Sequence, residues 1–168
     1  MTDTQPTDPF DRTGFFLEMI TELSGSLEQV IGLEDAEGYF SLVGTTIGTK
    51  MSAQYRKAAG HDDLSAEEVA QALVDLKTRI DGGFSVESIN GGQITLVNTR
   101  CPFGDKVIGR RSLCMMTSNV FGTIAADAAG RATVDLQETI AAGDQGCRVV
   151  VHLGRSDTPG MQYFGPQA

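Results

Sequence analysis

The spacing of apolar residues changes along this chain at the pair Gly82-Gly83. Before that pair, apolar residues recur every three or four positions, which is the period of an amphipathic helix. After it, short runs that alternate polar and apolar residues flank glycine-containing turns, which is typical of β-hairpins. Helices followed by hairpins, without regular strand–helix–strand alternation, predict an α+β fold with an antiparallel sheet.

Three helices are predicted before this change. The first covers residues 10–31, and its apolar stripe consists of Leu17, Ile20, Leu23, Leu27 and Val30. The second covers residues 35–59, and its apolar face consists of Phe40, Val43, Ile47, Met51 and Tyr55. The third opens at the capping box formed by Ser65 and Glu68 and runs to about residue 80. Its inward residues are predicted to be Val69, Leu73, Leu76 and Ile80.

The second predicted helix contains two glycines one turn apart, Gly44 and Gly48. Glycine in a helix interior costs about 1 kcal/mol relative to alanine. The pair therefore indicates either a close approach by another backbone or a break in the helix near Gly44.

The second half of the chain predicts a hairpin, a helix and another hairpin. The first hairpin covers residues 84–99 and turns at Gly91-Gly92, and a loop follows over residues 100–111. Ser112 is the predicted N-cap of the fourth helix, residues 113–129. The last hairpin has strands at 131–139 and 147–153, which completes a single domain over residues 10–153. Residues 1–9 are predicted to be a disordered lead-in, and residues 154–168 a loose tail.

Composition excludes several classes of protein. The 168 residues carry 13 basic and 22 acidic side chains, for a net charge of −9, so there is no basic face for nucleic acid. No apolar run approaches the roughly 20 residues that would span a membrane. The N-terminus lacks the basic and apolar regions of a secretory signal, so a cytoplasmic location is expected.

All three cysteines fall at the ends of predicted elements. Cys101 follows a strand, Cys114 lies at the start of the fourth helix, and Cys147 opens the last strand. Cysteines at such positions are either small packing residues or ligands and reactive thiols, and the residues alone leave both interpretations open. Glu138 is the best carboxylate to complete a metal site there, with His152 as its alternative.

Cys114 is the cysteine expected to be reactive. The N-terminus of a helix favours a thiolate, and Arg110 and Arg111 lie just upstream. Neither His61 nor His152 is close to it in the chain, so a Cys/His catalytic pair is not indicated.

Three segments resemble a known family: Asn-Thr-Arg-Cys-Pro-Phe-Gly-Asp from Asn98, Ser-Leu-Cys-Met-Met-Thr-Ser-Asn-Val-Phe-Gly from Ser112, and Gly-Asp-Gln-Gly-Cys-Arg-Val-Val-Val from Gly143. Together they resemble methanogen output domain 1, which is similar to the wider 4-vinyl reductase group. The resemblance is best over residues 84–153. It implies an α+β sensory or output module of bacterial and archaeal signalling that dimerises. It also implies a small organic ligand, often aromatic, beside a zinc ion.

The resemblance also implies a set of metal ligands. In aromatic-sensing members a cysteine at a helix start, a glutamate and two later cysteines hold the metal. Cys114 matches the first of these, Cys147 the last, and Glu138 lies near the glutamate. The remaining cysteine is absent here, where Thr139 and Ile140 stand, and Cys101 is its expected replacement. Zinc, an iron–sulfur cluster and a redox-active set of thiols all remain open.

A stand-alone sensor is the function this resemblance favours. It implies a homodimer that acts on a separate histidine kinase or transcriptional regulator, because the sequence carries neither a kinase nor a helix-turn-helix segment. The first helix is expected either to form the docking or dimerisation surface or to cover the core. The alternatives are an enzyme with Cys114 as its nucleophile and a structural adaptor whose cysteines only pack.

Overall fold

The computed structural model describes residues 11–166. Its helices are α1 (Arg12–Ile31), α2 (Leu33–Ala59), α3 (Ala66–Thr78) and α4 (Cys114–Ala129). Its strands are β1 (Ser85–Asn90), β2 (Gln93–Asn98), β3 (Arg131–Glu138), β4 (Cys147–Leu153) and β5 (Met161–Phe164). Short 3-10 turns lie at Gly104–Val107, Arg111–Leu113 and Ile140–Ala142. The predicted lead-in, residues 1–9, lies outside the described residues.

The strands form one antiparallel sheet in the order β1-β2-β4-β3-β5. The two predicted hairpins are therefore joined through β2 and β4, where Leu96 lies opposite Val149. Helices that pack on an antiparallel sheet confirm the predicted α+β fold. Among residues 11–166, no helix combines the length and apolarity that crossing a bilayer requires.

Helix α4 lies in the middle of the molecule, between α2 and the sheet. Phe121, Ile124 and Ala125 have no exposed surface, and they pack with Ile94 of β2 and Val151 of β4. Because α4 is covered on two sides, most of its length is apolar, whereas α2 and α3 are apolar on one side only.

The close approach of α2 to α4 explains the two glycines of α2. A Cβ atom at Gly44 would lie 2.7 Å from the Cβ atom of Asn119, and one at Gly48 would lie 2.8 Å from that of Thr123. Helix α2 continues through both positions, so the alternative of a break near Gly44 is wrong. The pair allows two helices to pack at backbone distance.

The predicted helix starts have different outcomes. The capping box at Ser65 and Glu68 is present, and α3 begins where expected. Ser112 is not the N-cap of α4: it lies inside a 3-10 turn, and its hydroxyl oxygen is 2.8 Å from that of Ser24 on α1. The Ser112 hydroxyl group therefore contacts α1 and does not cap the N-terminus of α4.

The C-terminal segment is not wholly loose. Residues 161–164 form β5, an edge strand paired with β3, so the predicted tail is wrong at this point. Gly122 of α4 provides the space, because a Cβ atom there would lie 2.0 Å from the ring of Tyr163. The Tyr163 hydroxyl group is 2.7 Å from Ser118 Oγ. In the sequence, Tyr163 was an aromatic residue in a polar segment, which could have indicated that this segment is ordered. Its contact with α4 follows only from the fold.

The buried face of α1 is not the predicted apolar stripe. Thr21, Ser24 and Gly25 are buried, whereas Leu23 is 54% exposed and Val30 is 81% exposed. The small residues face the loop before α4, which lies too close for large side chains. The proposal that the stripe covers the core is therefore wrong for Leu23 and Val30.

The α2–α4 contact can be tested with two matched glycine substitutions in α2. We expect Gly44→Ala to lower the free energy of unfolding by about 1–3 kcal/mol, because the new methyl group overlaps Asn119. Gly38→Ala has open space around it and should stabilise the helix by up to about 1 kcal/mol. Denaturant unfolding of both variants measures the difference. Equal effects would contradict the close contact.

Candidate functional site

The described residues enclose an apolar cavity of about 330 Å³ between α2, α3, α4 and one end of the sheet. Side chains from all of these elements form its walls, among them Ile47, Met51, Phe84, Phe103, Met116 and Val120. The segment 101–113, between β2 and α4, contributes Cys101, Pro102, Phe103, Val107 and Leu113.

The three cysteines all line this cavity, although they come from distant parts of the sequence. Each is partly buried, and none forms a disulfide. Gly146 lets the start of β4 approach β2, since a Cβ atom there would lie 2.2 Å from the carbonyl oxygen of Asn98. Cys147 is brought to the cavity by this approach. The structure thus brings together Cys101, Cys114 and Cys147.

The prediction that Cys114 is a thiolate is wrong, because its pKa is raised and not lowered. Burial, followed by the neighbouring Cys147 and Cys101, raises the pKa of Cys114 to about 12. The backbone N–H group of Cys114 is bonded inside the preceding 3-10 turn, so the helix start offers fewer unpaired donors than expected. Burial also raises the pKa of Cys101 and of Cys147. All three groups are therefore neutral thiols near pH 7.

The two upstream arginines interact with residues of α1 and α2. Arg110 Nε donates a hydrogen bond to the carbonyl oxygen of Thr21 at 3.2 Å, and its guanidinium group pairs with Glu22. Arg111 is exposed and lies within electrostatic reach of Glu37. These contacts attach the segment 101–113 to α1 and α2 instead of activating a thiol.

Asn98 holds the rim of the cavity together. Its side-chain Nδ2 donates hydrogen bonds of 2.9 Å to the carbonyl oxygens of Gly82 and Arg100. Its Oδ1 accepts a 2.9 Å hydrogen bond from the backbone N–H of Cys147. One buried amide therefore connects the end of α3, the segment after β2 and the start of β4. Sequence reasoning assigned no role to Asn98 beyond its place at the start of a family motif.

Lys77 is a second residue of this site that sequence reasoning missed. It lies on α3 four positions after the buried Leu73, and only 6% of its surface is exposed. Its side chain lines the cavity. A signal was available, because a lysine at this spacing falls on the apolar stripe of α3.

The surroundings of Lys77 are mostly apolar. Nζ donates a 2.7 Å hydrogen bond to Thr117 Oγ1 and lies 5.7 and 5.4 Å from the ring centres of Phe84 and Phe121. Desolvation lowers the pKa of Lys77 from its ordinary 10.5 to about 8, although the nearby cysteines oppose this change.

A family model described as methanogen output domain 1 matches residues 19–152. The chain belongs to this family. No curated protein matches it. Among solved structures, the phenol-responsive sensory domain of the transcription activator PoxR, solved with phenol, has a TM-score of 0.67 at 18% identity. That match covers 82% of this chain and 74% of the PoxR chain.

A second solved structure is also similar to this methanogen output domain. It is trafficking protein particle complex subunit 3 from Naegleria fowleri, covalently bound to palmitic acid. The TM-score is 0.59 at 15% identity, and the match covers 83% of this chain and 96% of that one. At these identities both likenesses bear on the fold alone.

Of the four predicted metal ligands of this output domain, the three cysteines line the cavity and Glu138 does not. Glu138 is exposed and does not line the cavity, and His61 is on the surface, 3.0 Å from Glu68. His152 lies within β4. Across residues 11–166, no three His, Cys, Asp or Glu side chains lie close enough to share a metal ion. Metal binding by the three cysteines and Glu138 stays a prediction.

The buried charge of Lys77 in this output domain predicts an unusual stability profile. Between about pH 8 and pH 10.5 the unfolded chain retains a proton that folded Lys77 releases, so the Lys77 contribution to stability rises with pH. We expect Lys77→Met to be more stable than the parent by about 1–3 kcal/mol at neutral pH, with a difference that shrinks towards pH 10.

Denaturant unfolding across this pH range measures the difference. Lys57→Met removes an exposed lysine of α2 and is the matched control, with little expected effect at any pH. A clearly destabilised Lys77→Met protein at neutral pH would contradict the prediction, because the ammonium group would then be favourably paired within the fold.

Proposed function

We propose that this methanogen output domain is a sensory module whose cavity binds a small, largely apolar molecule. The observation that carries this proposal is the cavity itself. Its volume of about 330 Å³ is large enough for a small ligand, and apolar side chains line it around a few polar groups. A cavity of this size costs stability in a protein core, so a ligand that fills it would stabilise the fold.

The two similar structures give this proposal general support. Both were solved with a molecule that has an apolar part: phenol in the PoxR sensory domain and palmitic acid in the trafficking subunit. Both have the fold described above, which suits a cavity between helices and an antiparallel sheet.

The segment 101–113 forms one wall of the cavity and also contacts α1. We propose that this segment transmits ligand binding to α1. Glu28 of α1 accepts a 2.9 Å hydrogen bond from the backbone N–H of Ser112, and Ser24 contacts the hydroxyl group of Ser112. Glu18 forms an ion pair with Lys106. A ligand that displaces the segment 101–113 therefore alters the position of α1.

The outer side of α1 is the surface that we propose to carry the output. Phe16, Met19, Leu23 and Val30 are exposed there at spacings of three, four and seven residues, which is the repeat of a coiled-coil seam. Such a stripe can pack against its own copy in a two-fold symmetric dimer. We propose that a second copy of this chain covers the stripe. A histidine kinase or transcriptional regulator would then respond to the dimer.

The other candidate functions have less support. Metal binding through Cys101, Cys114, Cys147 and Glu138 stays a prediction of the family resemblance. An enzyme that uses Cys114 as a nucleophile would need an activated thiol, and burial has the opposite effect on that group. An adaptor with packed cysteines does not account for the open cavity around them.

Binding in the cavity can be tested with neutral apolar probes. We expect benzene, phenol or 1-octanol to bind and to raise the melting temperature, because the cavity wall is mostly apolar and a bound ligand stabilises the folded state. Met116→Trp on α4 should weaken this binding at least about tenfold, because the larger side chain fills the cavity. Titration calorimetry and thermal unfolding measure both effects.

Two further variants define the outcome of this test. Leu42→Trp places a tryptophan on the exposed side of α2, away from the cavity, and should bind the probes normally. Ile140→Phe obstructs the cavity from another wall, in case Met116→Trp does not fold. Failure of all three probes, benzene included, or normal binding by a folded obstructed variant would overturn the proposal.

The dimer can be tested by placing a charge on the α1 stripe. We expect the parent chain to be dimeric in light scattering after size-exclusion chromatography and Leu23→Glu to be monomeric, because the carboxylate would be buried in the seam. Gln29→Glu adds the same charge at another exposed position of α1 and should remain dimeric. A monomeric parent, or a dimeric Leu23→Glu protein, would contradict the assignment.

A further inference from the structure

Lys77 is a buried cation without a counter-ion in the described part of the chain. The ion pairs among residues 11–166 do not include it, and Thr117 Oγ1 is its hydrogen-bond acceptor there. An ammonium group has three N–H donors, so two remain without an acceptor from these residues. A buried charge in this situation is costly unless a partner of opposite charge or several acceptors satisfy it.

The neighbouring polar groups do not supply that partner. The thiols of Cys101, Cys114 and Cys147 are neutral near pH 7, so they do not balance the charge. Asn98 uses both its amide nitrogen and its amide oxygen at the rim of the cavity. The two phenylalanine rings provide a cation–π contact, which is weaker than a charge pair.

Lys77 lines the cavity together with Thr117, whose hydroxyl oxygen accepts the Lys77 hydrogen bond and whose O–H is available to donate. The rest of the wall is almost entirely apolar. The cavity therefore offers one cationic anchor with an adjacent hydroxyl donor, within a surface suited to hydrocarbon or aromatic groups.

We propose that the ligand of this cavity is an amphiphile with a single carboxylate, whose head group pairs with Lys77 and Thr117 and whose apolar body fills the remaining space. This inference rests on the proposed ligand-binding function and adds the chemical class. A carboxylate accepts several hydrogen bonds and neutralises the ammonium group. At roughly 30 Å³ per water-sized group, about 330 Å³ accommodates about eleven such groups, which suits a medium-chain or aryl-alkyl acid.

Matched eight-carbon probes test the charge requirement. Octanoate, 1-octanol and octylamine have the same chain and differ in the charge of the head group. In calorimetric titrations near neutral pH, we expect octanoate to bind about 10- to 100-fold more tightly than 1-octanol, because it adds charge-assisted hydrogen bonds. Octylamine should bind more weakly than either, because its cation would lie next to Lys77.

The variants identify the group responsible. Lys77→Met should reduce octanoate affinity by about 10- to 100-fold and leave or improve 1-octanol affinity, since methionine keeps the apolar length of the side chain. Lys57→Met, on the exposed side of α2, should bind both probes as the parent does. Thr117→Val should weaken octanoate selectively but by a smaller factor, because it removes the hydroxyl group alone.

A measurement on the unaltered chain keeps the proposal testable if Lys77→Met does not fold. Octanoate affinity should fall as pH rises from about 7 to about 10, because Lys77 loses its charge, whereas 1-octanol affinity should change little. The other titratable groups that line the cavity are Cys101, Cys114 and Cys147, and any thiolate they form would repel octanoate and act in the same direction.

The outcomes separate this inference from the proposed function. Equal affinity for octanoate and 1-octanol, or octanoate binding that Lys77→Met leaves unchanged, would overturn the carboxylate assignment while the cavity would still be a ligand site. Absence of binding by benzene, 1-octanol and octanoate alike would overturn both.

Discussion

The contact between α2 and α4 is the constraint on which the rest of the structure depends. Gly44 and Gly48 let the two backbones approach, so that α4 is held between α2 and the sheet. With α4 fixed in this way, its first two turns lie at the end of the sheet, where β2, β4 and the segment 101–113 meet. The cavity lies at this junction. Its position therefore depends on the packing of α2 against α4, a contact that includes no functional group of the ligand site.

The balance between apolar and polar groups in the cavity determines what it can recognise. Its walls provide the hydrophobic contribution to affinity, which is general, and Lys77 provides an electrostatic contribution, which is selective. Burying the ammonium group of Lys77 destabilises the folded state. The burial of neighbouring apolar residues of α3, such as Val69 and Leu73, offsets this cost. A site that keeps an unbalanced charge binds a ligand of the opposite charge more tightly than a neutral ligand of the same shape.

The same segment that closes the cavity also holds α1. Residues 101–113 contribute several walls of the cavity, and Lys106, Arg110 and Ser112 of that segment contact α1 through polar interactions. Polar contacts of this type rearrange at lower cost than a packed apolar core. The segment is anchored by the buried residues Val107 and Leu113, and its polar contacts connect the ligand site to α1 and its exposed stripe.

The sequence by itself determined the order of helices and hairpins, the start of α3 at Ser65, and the placement of three cysteines at element ends, because these depend on local periodicity, capping and turns. It also contained the signal for Lys77 as a polar residue on an apolar stripe. Only the tertiary structure decided that Cys101, Cys114 and Cys147 line one cavity, that burial keeps them protonated, that Glu138 lies outside it, and that Ser112 and Tyr163 contact α1 and α4. The physical reason is that burial and charge environment depend on residues far apart in the chain, whereas helix and strand periods do not.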